Sequence, residues 1–332
     1  MEHSQVKKIL VIGSTVADII INLDFLPTTA QDVHVKSQSM SLGGCAHNVA
    51  DMIRHFGVPY TLFSPVGTGL YGDFVRNQLA AKGLASPMPT PDMANGCCYC
   101  FVEESGERTF IVDHGAEYLF YKEWFDALNL SKLRCAYICG LEIEDKTGST
   151  IVDFLEESGL PVFYAPGPRI CLIDNGLMER IFALRPVLHL NEDEICRYTG
   201  CDTIAEAAAA LYKKTHNTII ITNGANGAYY YNGTECSGDV AGGAGSEAAN
   251  DTGSTDNAES GAELVHVPPV PVAQIVDTIG AGDGHCGAVM AGLSMGLSMY
   301  DAIAKANAAS SLVVSVKGGV LSDEEFAAGG IL

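Results

Sequence analysis

Short runs of β-branched and aliphatic residues alternate along this chain with amphipathic segments of helical period. The first unit is KKILVIG followed by AHNVADMIRHFG, and the second is YTLFSPVG followed by FVRNQLAAKG. In the first helical segment Val49, Ile53 and Phe56 recur at helical spacing, and Gly57 is placed to end the helix in a left-handed conformation. Such alternation predicts a Rossmann-like, doubly wound α/β fold with a mainly parallel sheet, and 332 residues suffice for one such domain.

Three segments depart from this alternation. Residues of about 19–42 and about 95–118 predict strands and a hairpin with ESGER as its turn, and we expect them to form a small β-sheet lid over a cleft. The run 232–263 is rich in Gly, Ala, Ser and acidic residues and contains no Lys or Arg. It predicts a mobile acidic surface insertion, with an acidic interaction segment as the alternative.

The charge balance and the cysteine pattern exclude several function classes. Forty acidic against 19 basic residues give a net charge of −21, which argues against nucleic-acid and anionic-membrane partners. Asp18 and Asp24 interrupt the N-terminal apolar run, which therefore predicts a strand and neither a signal peptide nor a membrane span. The 11 scattered cysteines are typical of reduced thiols in a cytoplasmic protein. The segment CCYC contains one closely spaced cysteine pair, but the second pair that a zinc site needs is missing.

The segment DTIGAGDG carries the strongest chemical signal. Gly280, Ala281 and Gly282 lie between an apolar run and a helix, so their backbone NH groups can turn to one side and form an anion hole at the helix N-terminus. Asp283 follows at the helix start, where the helix dipole is expected to keep it ionised without making it a strong base. An ionised carboxylate beside an anion hole suits a general base for phosphoryl transfer to an alcohol. The alternative is a helix cap on a tight turn.

Two further motifs follow predicted strands. TNGANG follows NTIII and predicts a close backbone approach to a phosphate or ribose, and NEDE follows VLHL at the edge where open α/β sheets bind ligands. The Walker motif is absent, which excludes that route to ATP. GTGLYG matches the dinucleotide pattern, but the acidic residue that this pattern requires about 20 positions later falls in a turn.

Taken together, DTIGAGDGHCGA, GGCAHNVA, NEDE, TNGANG and KANAASSLVVSVKGG resemble the PfkB-type (ribokinase-like) carbohydrate kinases over nearly the whole chain. The resemblance implies a ribokinase-like core with a β-sheet lid. It also implies ATP as phosphoryl donor, Mg²⁺, a monovalent cation such as K⁺, a small sugar as acceptor and a homodimer formed through the lid.

The resemblance also assigns residues position by position. Asp283 would be the base, with Gly280, Ala281 and Gly282 as the anion hole. On the donor side it implies Asn191 near the phosphates, Glu194 for Mg²⁺ through water, Thr222, Gly224 and Gly227 along the nucleotide, and Asn307 near adenine. Asp277 and Ile279 would hold the monovalent cation. On the acceptor side it implies Asp18, Gly43, Gly44, Asn48 and Glu142.

Several positions depart from the family pattern and leave the acceptor open. Val16 and Cys45 stand where ribokinases carry Asn and Lys, which argues against ribose, and Gly69, Ala165 and His285 also differ. Three side chains have two interpretations each. Arg108 could bind the carboxylate of a sugar acid or be a solvated turn residue. His47 could contact substrate or pack as a neutral imidazole, and Arg169 could contact a phosphate or form a structural ion pair. A sugar kinase is the expected function; a nucleoside kinase and a non-catalytic binding protein are the alternatives.

Overall fold

The computed structural model describes residues 6–232 and 263–332. Its strands are β1 (Lys8–Ile12), β2 (Val16–Asn22), β3 (Ser37–Gly43), β4 (Tyr60–Phe63), β5 (Cys97–Val102), β6 (Arg108–Asp113), β7 (Leu133–Cys139), β8 (Val162–Ala165), β9 (Val187–Asn191), β10 (Ile219–Thr222), β11 (Ala228–Asn232) and β12 (Glu263–Val267). Its helices are α1 (Cys45–His55), α2 (Gly69–Ala81), α3 (Lys122–Phe125), α4 (Gly140–Glu144), α5 (Gly148–Ser158), α6 (Asn175–Ala183), α7 (Glu192–Thr199), α8 (Ile204–Thr215), α9 (Ala281–Ser294), α10 (Met299–Val313) and α11 (Asp323–Ala328).

Eight strands form the central sheet in the order β12-β11-β10-β9-β8-β7-β1-β4. All neighbouring pairs from β10 to β4 are parallel, and β11 and β12 add two antiparallel strands at one side. The chain runs outward in one direction from β1 to β4 and in the other from β7 to β10. The carboxyl ends of β1 and β7 therefore mark the switch point of the strand order, where open α/β sheets bind their ligands.

The two faces of the sheet bury alternate strand residues. Ile9 and Val11 of β1 pack into the cluster that contains α1, α9 and α10, whereas Leu10 and Ile12 pack into the cluster with α5, α6 and α8. This period of two, with both faces covered by helices, is the physical basis of the doubly wound architecture that the sequence predicts. The α1 helix ends as expected, with Gly57 at φ 70°.

A second, four-stranded sheet in the order β3-β2-β5-β6 forms the lid. Strand β2 pairs with β3 antiparallel and with β5 parallel, and β5 and β6 form the hairpin predicted around ESGER. The chain enters the lid directly from β1 through Gly13, Ser14 and Thr15, and returns to the core at the start of α1. These two crossing points, at the start of β2 and at the end of β3, lie beside the switch point of the central sheet.

The predicted insertion falls between β11 and β12. Residues 233–262 lie outside the described residues, but the two residues that flank them, Asn232 and Glu263, pair across neighbouring antiparallel strands. Among the described residues, none of the helices combines the length and the apolar character needed to cross a membrane.

Candidate active site

Helix α9 begins at the glycine turn that the sequence singles out. Gly280 caps the helix with φ 71°, and the amide of Gly284 donates to the Gly280 carbonyl at 2.7 Å. A Cβ atom at position 280 would lie 2.4 Å from the backbone oxygen of Gly319. Only glycine satisfies both the left-handed conformation and this close approach of two backbones.

The first turn of α9 leaves backbone amides available to an anion. The amides of Gly282 and Asp283 lie where helix geometry offers no acceptor, and the amide of Ala281 makes only a 3.4 Å contact with the Thr278 oxygen. The space around Gly282 is open, and this residue is exposed. The local geometry can therefore receive a phosphoryl group, and its role as an anion hole remains a prediction.

The Asp283 carboxylate is held by residues from α1. Asn48 Nδ2 donates to Asp283 Oδ2 at 2.9 Å, and the Cys45 thiol acts on the same carboxylate. Burial raises the pKa of Asp283 to about 6, against the opposing effects of Asn48 and Cys45 and with additional repulsion from Glu142 and Glu194. The sequence interpretation considered only the helix end and did not include burial, which raises this pKa. A carboxylate with this pKa is a more effective base near neutral pH.

The predicted acceptor residues meet at the entrance to the lid. Asp18 lies on β2 against Gly43 at the end of β3, where a Cβ atom would come within 1.9 Å of Asp18 Oδ2. Gly44 turns the chain into α1 at φ 98°, and Asn48 lies one helical turn further on. Burial raises the pKa of Asp18 to about 7, and the nearby charge of Asp283 raises it further. The structure therefore brings Asp18, Asn48 and Asp283 together.

Glu142 closes the same region from the carboxyl end of β7. Its Oε1 accepts a 2.8 Å hydrogen bond from the Ser14 amide, which joins the ends of β1 and β7 across the switch point. Its Oε2 is buried and has no partner within the described chain. An unsatisfied buried carboxylate oxygen is costly unless a ligand pairs with it, so Glu142 is well placed to accept from a hydroxyl.

On the donor side, Asn191 and Glu194 form the N-terminal cap of α7. The Glu194 amide donates to Asn191 Oδ1 at 2.8 Å, and Glu194 Oε2 accepts from the Asn191 amide at 3.0 Å. This capping box gives both residues a structural role that the sequence interpretation missed. Burial raises the pKa of Glu194, and its charge also acts on Asp283, so the two groups share one region of the cleft.

The remaining donor-side residues surround the ends of β10 and β12. Thr222 ends β10, Gly224 and Gly227 have φ of 49° and 86°, and a Cβ atom at 227 would lie 2.4 Å from the Val267 oxygen. Asn307 Nδ2 donates to the oxygens of Val267 and Pro268 at 3.2 and 2.8 Å. Gly227 and Asn307 thus contact the same backbone segment. The side-chain nitrogen of Asn307 already donates to the two carbonyls of that segment.

Asp277 forms an ion pair that the sequence did not predict. Arg108 Nη1 lies 2.7 Å from Asp277 Oδ1, which also accepts from the Ile279 amide at 2.8 Å. Asp277 Oδ2 accepts from the Gly318 amide at 3.0 Å. Neither interpretation of Arg108 made from the sequence, a grip on a sugar acid or a solvated turn residue, describes this contact.

His285 belongs to a buried polar chain that the sequence also did not reveal. His189 Nε2 lies 2.8 Å from His285 Nδ1, and His285 Nε2 lies 3.2 Å from Asn307 Oδ1. Because the Asn307 nitrogen donates to two carbonyls, its oxygen must accept, so His285 carries its proton on Nε2 and accepts from His189 on Nδ1. Burial lowers the pKa of both histidines and keeps them neutral.

Burial and contacts favour one interpretation for each of two further residues. His47 is buried beside Asn48, and burial lowers its pKa to about 4, which favours the packed neutral imidazole. Arg169 Nη1 lies 3.1 Å from Glu144 Oε2, which is the structural ion pair that was one of its two interpretations.

This geometry can be compared with known proteins. The sequence model of the pfkB family carbohydrate kinases matches residues 6–325. The chain belongs to this family. As a pfkB carbohydrate kinase it is an ATP-dependent enzyme. It is 32% identical over 318 residues to an uncharacterized sugar kinase, YegV, of Escherichia coli strain K12, covering 94% of this chain and 90% of the relative.

Solved structures confirm the ribokinase fold for this pfkB kinase. A ribokinase II of Escherichia coli with ATP and Mg²⁺ bound aligns with a TM-score of 0.74 at 22% identity, covering 97% of this chain and 98% of the other. A nucleoside kinase of Burkholderia thailandensis in complex with inosine aligns with a TM-score of 0.69 at 18% identity, covering 96% and 95%. At these identities the likeness extends to the fold.

Proposed function

We propose that this carbohydrate kinase transfers the γ-phosphoryl group of ATP to a hydroxyl of a neutral, polyhydroxylated sugar, with Asp283 as the general base. The observation that carries this proposal is the Asp283 carboxylate, whose pKa burial raises to about 6, held by Asn48 at 2.9 Å in the first turn of α9. Asp283 takes the proton of the acceptor hydroxyl as the new oxygen–phosphorus bond forms. The amides from Gly280 to Gly282 stabilise the charge on the transferred group.

The donor site is proposed at the carboxyl ends of β9 and β10. Thr222, Gly224 and Gly227 give the nucleotide a surface of backbone, and Asn307 fixes the wall behind them. Mg²⁺ fits the donor chemistry, because the charges of Glu142 and Glu194 both act on Asp283 and a divalent cation offsets that repulsion. When bound, Mg²⁺ would neutralise charge on the phosphates, and Glu194 would hold it through water.

The acceptor is proposed to be uncharged because of the charges around Asp283. Asp18, Glu142 and Asp283 surround the pocket, and Arg108, the cation whose role toward a sugar acid was open, is paired with Asp277. Carboxylates accept hydrogen bonds from hydroxyls but repel an anionic acceptor. A neutral sugar is therefore favoured over a sugar acid.

A nucleoside is the second candidate acceptor, since a nucleoside kinase with inosine bound shares the fold. Its ribose also presents neutral hydroxyls to the same carboxylates. A binding protein without catalysis has no use for a carboxylate that has a raised pKa and no Lys or Arg partner among the described residues, so the geometry disfavours it.

The test is ADP formation from ATP and Mg²⁺ across neutral sugars, sugar acids and nucleosides. We expect a neutral sugar to give the highest kcat/KM and sugar acids to give none above background. The Asp283→Asn variant is the control, because it should abolish turnover of the best acceptor. A sugar acid as the best substrate would contradict the assignment of the pocket, and no ADP with any acceptor would contradict the kinase proposal itself.

We also propose a homodimer formed through the lid. Strand β6 is at the edge of the lid, and Phe110, Ile111 and Val112 along it are 50%, 56% and 42% exposed. An exposed apolar edge strand is a surface that proteins normally cover by pairing. The cytoplasmic location stays a prediction, supported by ATP as donor and by the free thiols of the described cysteines.

A further inference from the structure

Arg108 is a lid residue whose guanidinium group contacts the loop that precedes the glycine turn of the core. It is the first residue of β6, and its Nη1 lies 2.7 Å from Asp277 Oδ1. The Arg108 side chain is 18% exposed and that of Asp277 is 5% exposed, whereas the arginines of the other ion pairs among the described residues are 31–38% exposed. The pair therefore crosses a buried seam between the lid and the core.

The Asp277 carboxylate connects the loops that build the glycine turn. Its Oδ1 accepts from the Ile279 amide at 2.8 Å, and its Oδ2 accepts from the Gly318 amide at 3.0 Å. The next residue along the chain, Gly319, lies against Gly280. One carboxylate thus fixes both the segment before α9 and the segment behind it, and Arg108 neutralises that carboxylate.

A monovalent cation does not fit beside Asp277 in this arrangement. The guanidinium already contacts the oxygen that would bind such an ion, and both oxygens also accept from backbone amides. A second positive charge at the same carboxylate would repel the guanidinium in a region shielded from solvent. The guanidinium group of an arginine is a fixed cation at physiological pH, which suits it to replace a bound metal cation.

We propose that the Arg108 guanidinium takes the place of a monovalent cation at Asp277, so that the closed lid itself supplies the positive charge that holds the anion-hole turn. Arg108 is a positioning residue in this role, since it acts through Asp277 and the turn. The inference rests on the proposed kinase activity and predicts an enzyme whose turnover does not depend on K⁺.

The first experiment measures turnover of the best acceptor in KCl and in tetramethylammonium chloride at equal ionic strength. The wild-type rates should agree within about twofold. Arg108→Ala should lose roughly tenfold or more in kcat, and millimolar guanidinium or K⁺ should restore a large part of the loss. Arg108→Lys should keep more activity and respond to neither ion, because its ammonium group fills the site.

Lys36 provides the matched control in the lid. It is also an ion-paired cation, but its side chain is 44% exposed and both of its partners, Asp24 and Glu104, lie in loops of the lid and not in the core. Lys36→Ala should leave kcat and the response to K⁺ unchanged. Saturable activation of the wild type by K⁺, or an Arg108→Ala variant with wild-type turnover, would overturn the proposal.

Ion binding without substrates gives an independent readout. KCl should raise the melting temperature of Arg108→Ala above its value in tetramethylammonium chloride, and should not do so for the wild type. This comparison needs no activity, so it decides the role of Arg108 even if no acceptor turns over, which would instead refute the proposed function. A specific K⁺ shift in the wild type, or none in a folded Arg108→Ala variant, would refute the replacement of the cation.

Discussion

Replacing Asp283 by Asn should lower turnover and raise stability at the same time. The variant removes the proton acceptor but keeps the side-chain shape and an oxygen that can accept from Asn48 Nδ2. Loss of general-base help should reduce kcat by roughly 10² to 10⁴. A purely structural role in the first turn of the helix would instead leave kcat unchanged and lower stability slightly, because Asn lacks the charge that the helix N-terminus favours.

The gain in stability follows from the raised pKa. Burial shifts the pKa of Asp283 from 3.8 to about 6, so the folded protein binds this proton more tightly than the unfolded chain. The stability contributed by the protonated group is present below pH 3.8 and is lost as the pH rises through about 6. At about 1.36 kcal/mol per unit, the upper bound at pH 8 is about 3 kcal/mol. Because the side chain keeps some contact with solvent, we discount this to about 1.5 kcal/mol.

The assay is urea unfolding of wild type and variant at pH 8 and pH 5, together with kcat for the best acceptor. The free energy of unfolding of Asp283→Asn should exceed that of the wild type by about 1.5 kcal/mol at pH 8 and by about half as much at pH 5. Asp301→Asn is the control, because Asp301 is exposed in the first turn of the next helix. It should keep full turnover and lose less than about 1 kcal/mol. Wild-type kcat in Asp283→Asn, or a variant less stable than wild type at pH 8, would refute the reasoning.

Three further variants test neighbouring features. Asn48→Ala removes a hydrogen bond that favours ionised Asp283, so the acidic limb of the kcat/KM–pH profile should move up by about 0.5–1 unit; a downward shift would contradict the contact. His285→Phe leaves His189 and Asn307 without their partner and should cost about 1–3 kcal/mol in urea unfolding, whereas an unchanged midpoint would show that the buried chain is dispensable. Phe110→Lys places a charge on the exposed edge of β6 and should convert the proposed dimer into a monomer by light scattering; an unchanged mass would exclude this edge as the interface.

The sequence predicts this fold well because its signals are local. Each strand and each helix of a βα unit is encoded by its own period, and the turn at Gly280 is encoded by consecutive glycines. The capping box at Asn191 and Glu194 was equally local, yet the sequence interpretation gave those residues to the donor and Mg²⁺. The same spacing serves both a cap and a ligand set, so the pattern alone cannot separate them.

The contacts that the sequence did not predict join distant segments. Arg108 and Asp277 are 169 positions apart and meet only because the lid docks on the core, and Asn48 and Asp283 are 235 apart. The pKa of Asp283 likewise depends on burial by α1, which no neighbouring residue of the chain signals. A dipole at a helix end can be inferred from sequence, but the larger desolvation effect requires the assembled tertiary structure.

The distribution of cations divides the buried and half-buried aspartates of this protein into two groups. Burial would raise the pKa of Asp51, but hydrogen bonds and charge from His55 and Lys82 hold it well below its usual range. Lys82 Nζ lies 2.7 Å from Asp51, and Arg108 makes the corresponding contact with Asp277. Asp18 and Asp283 are half-buried, and burial raises the pKa of each because no Lys or Arg pairs with either carboxylate among the described residues.

This difference follows from where the chain places its few positive charges. With only 19 basic residues against 40 acidic ones, Lys and Arg of the described residues pair with Asp51 and Asp277 and not with Asp18 and Asp283, which lie at the proposed acceptor site. Unpaired carboxylates cost stability at neutral pH, and that cost is offset only when hydroxyls of a substrate bind to them. Under the proposed function, the energetics of Asp18 and Asp283 are therefore explained by substrate binding and proton transfer, and not by folding.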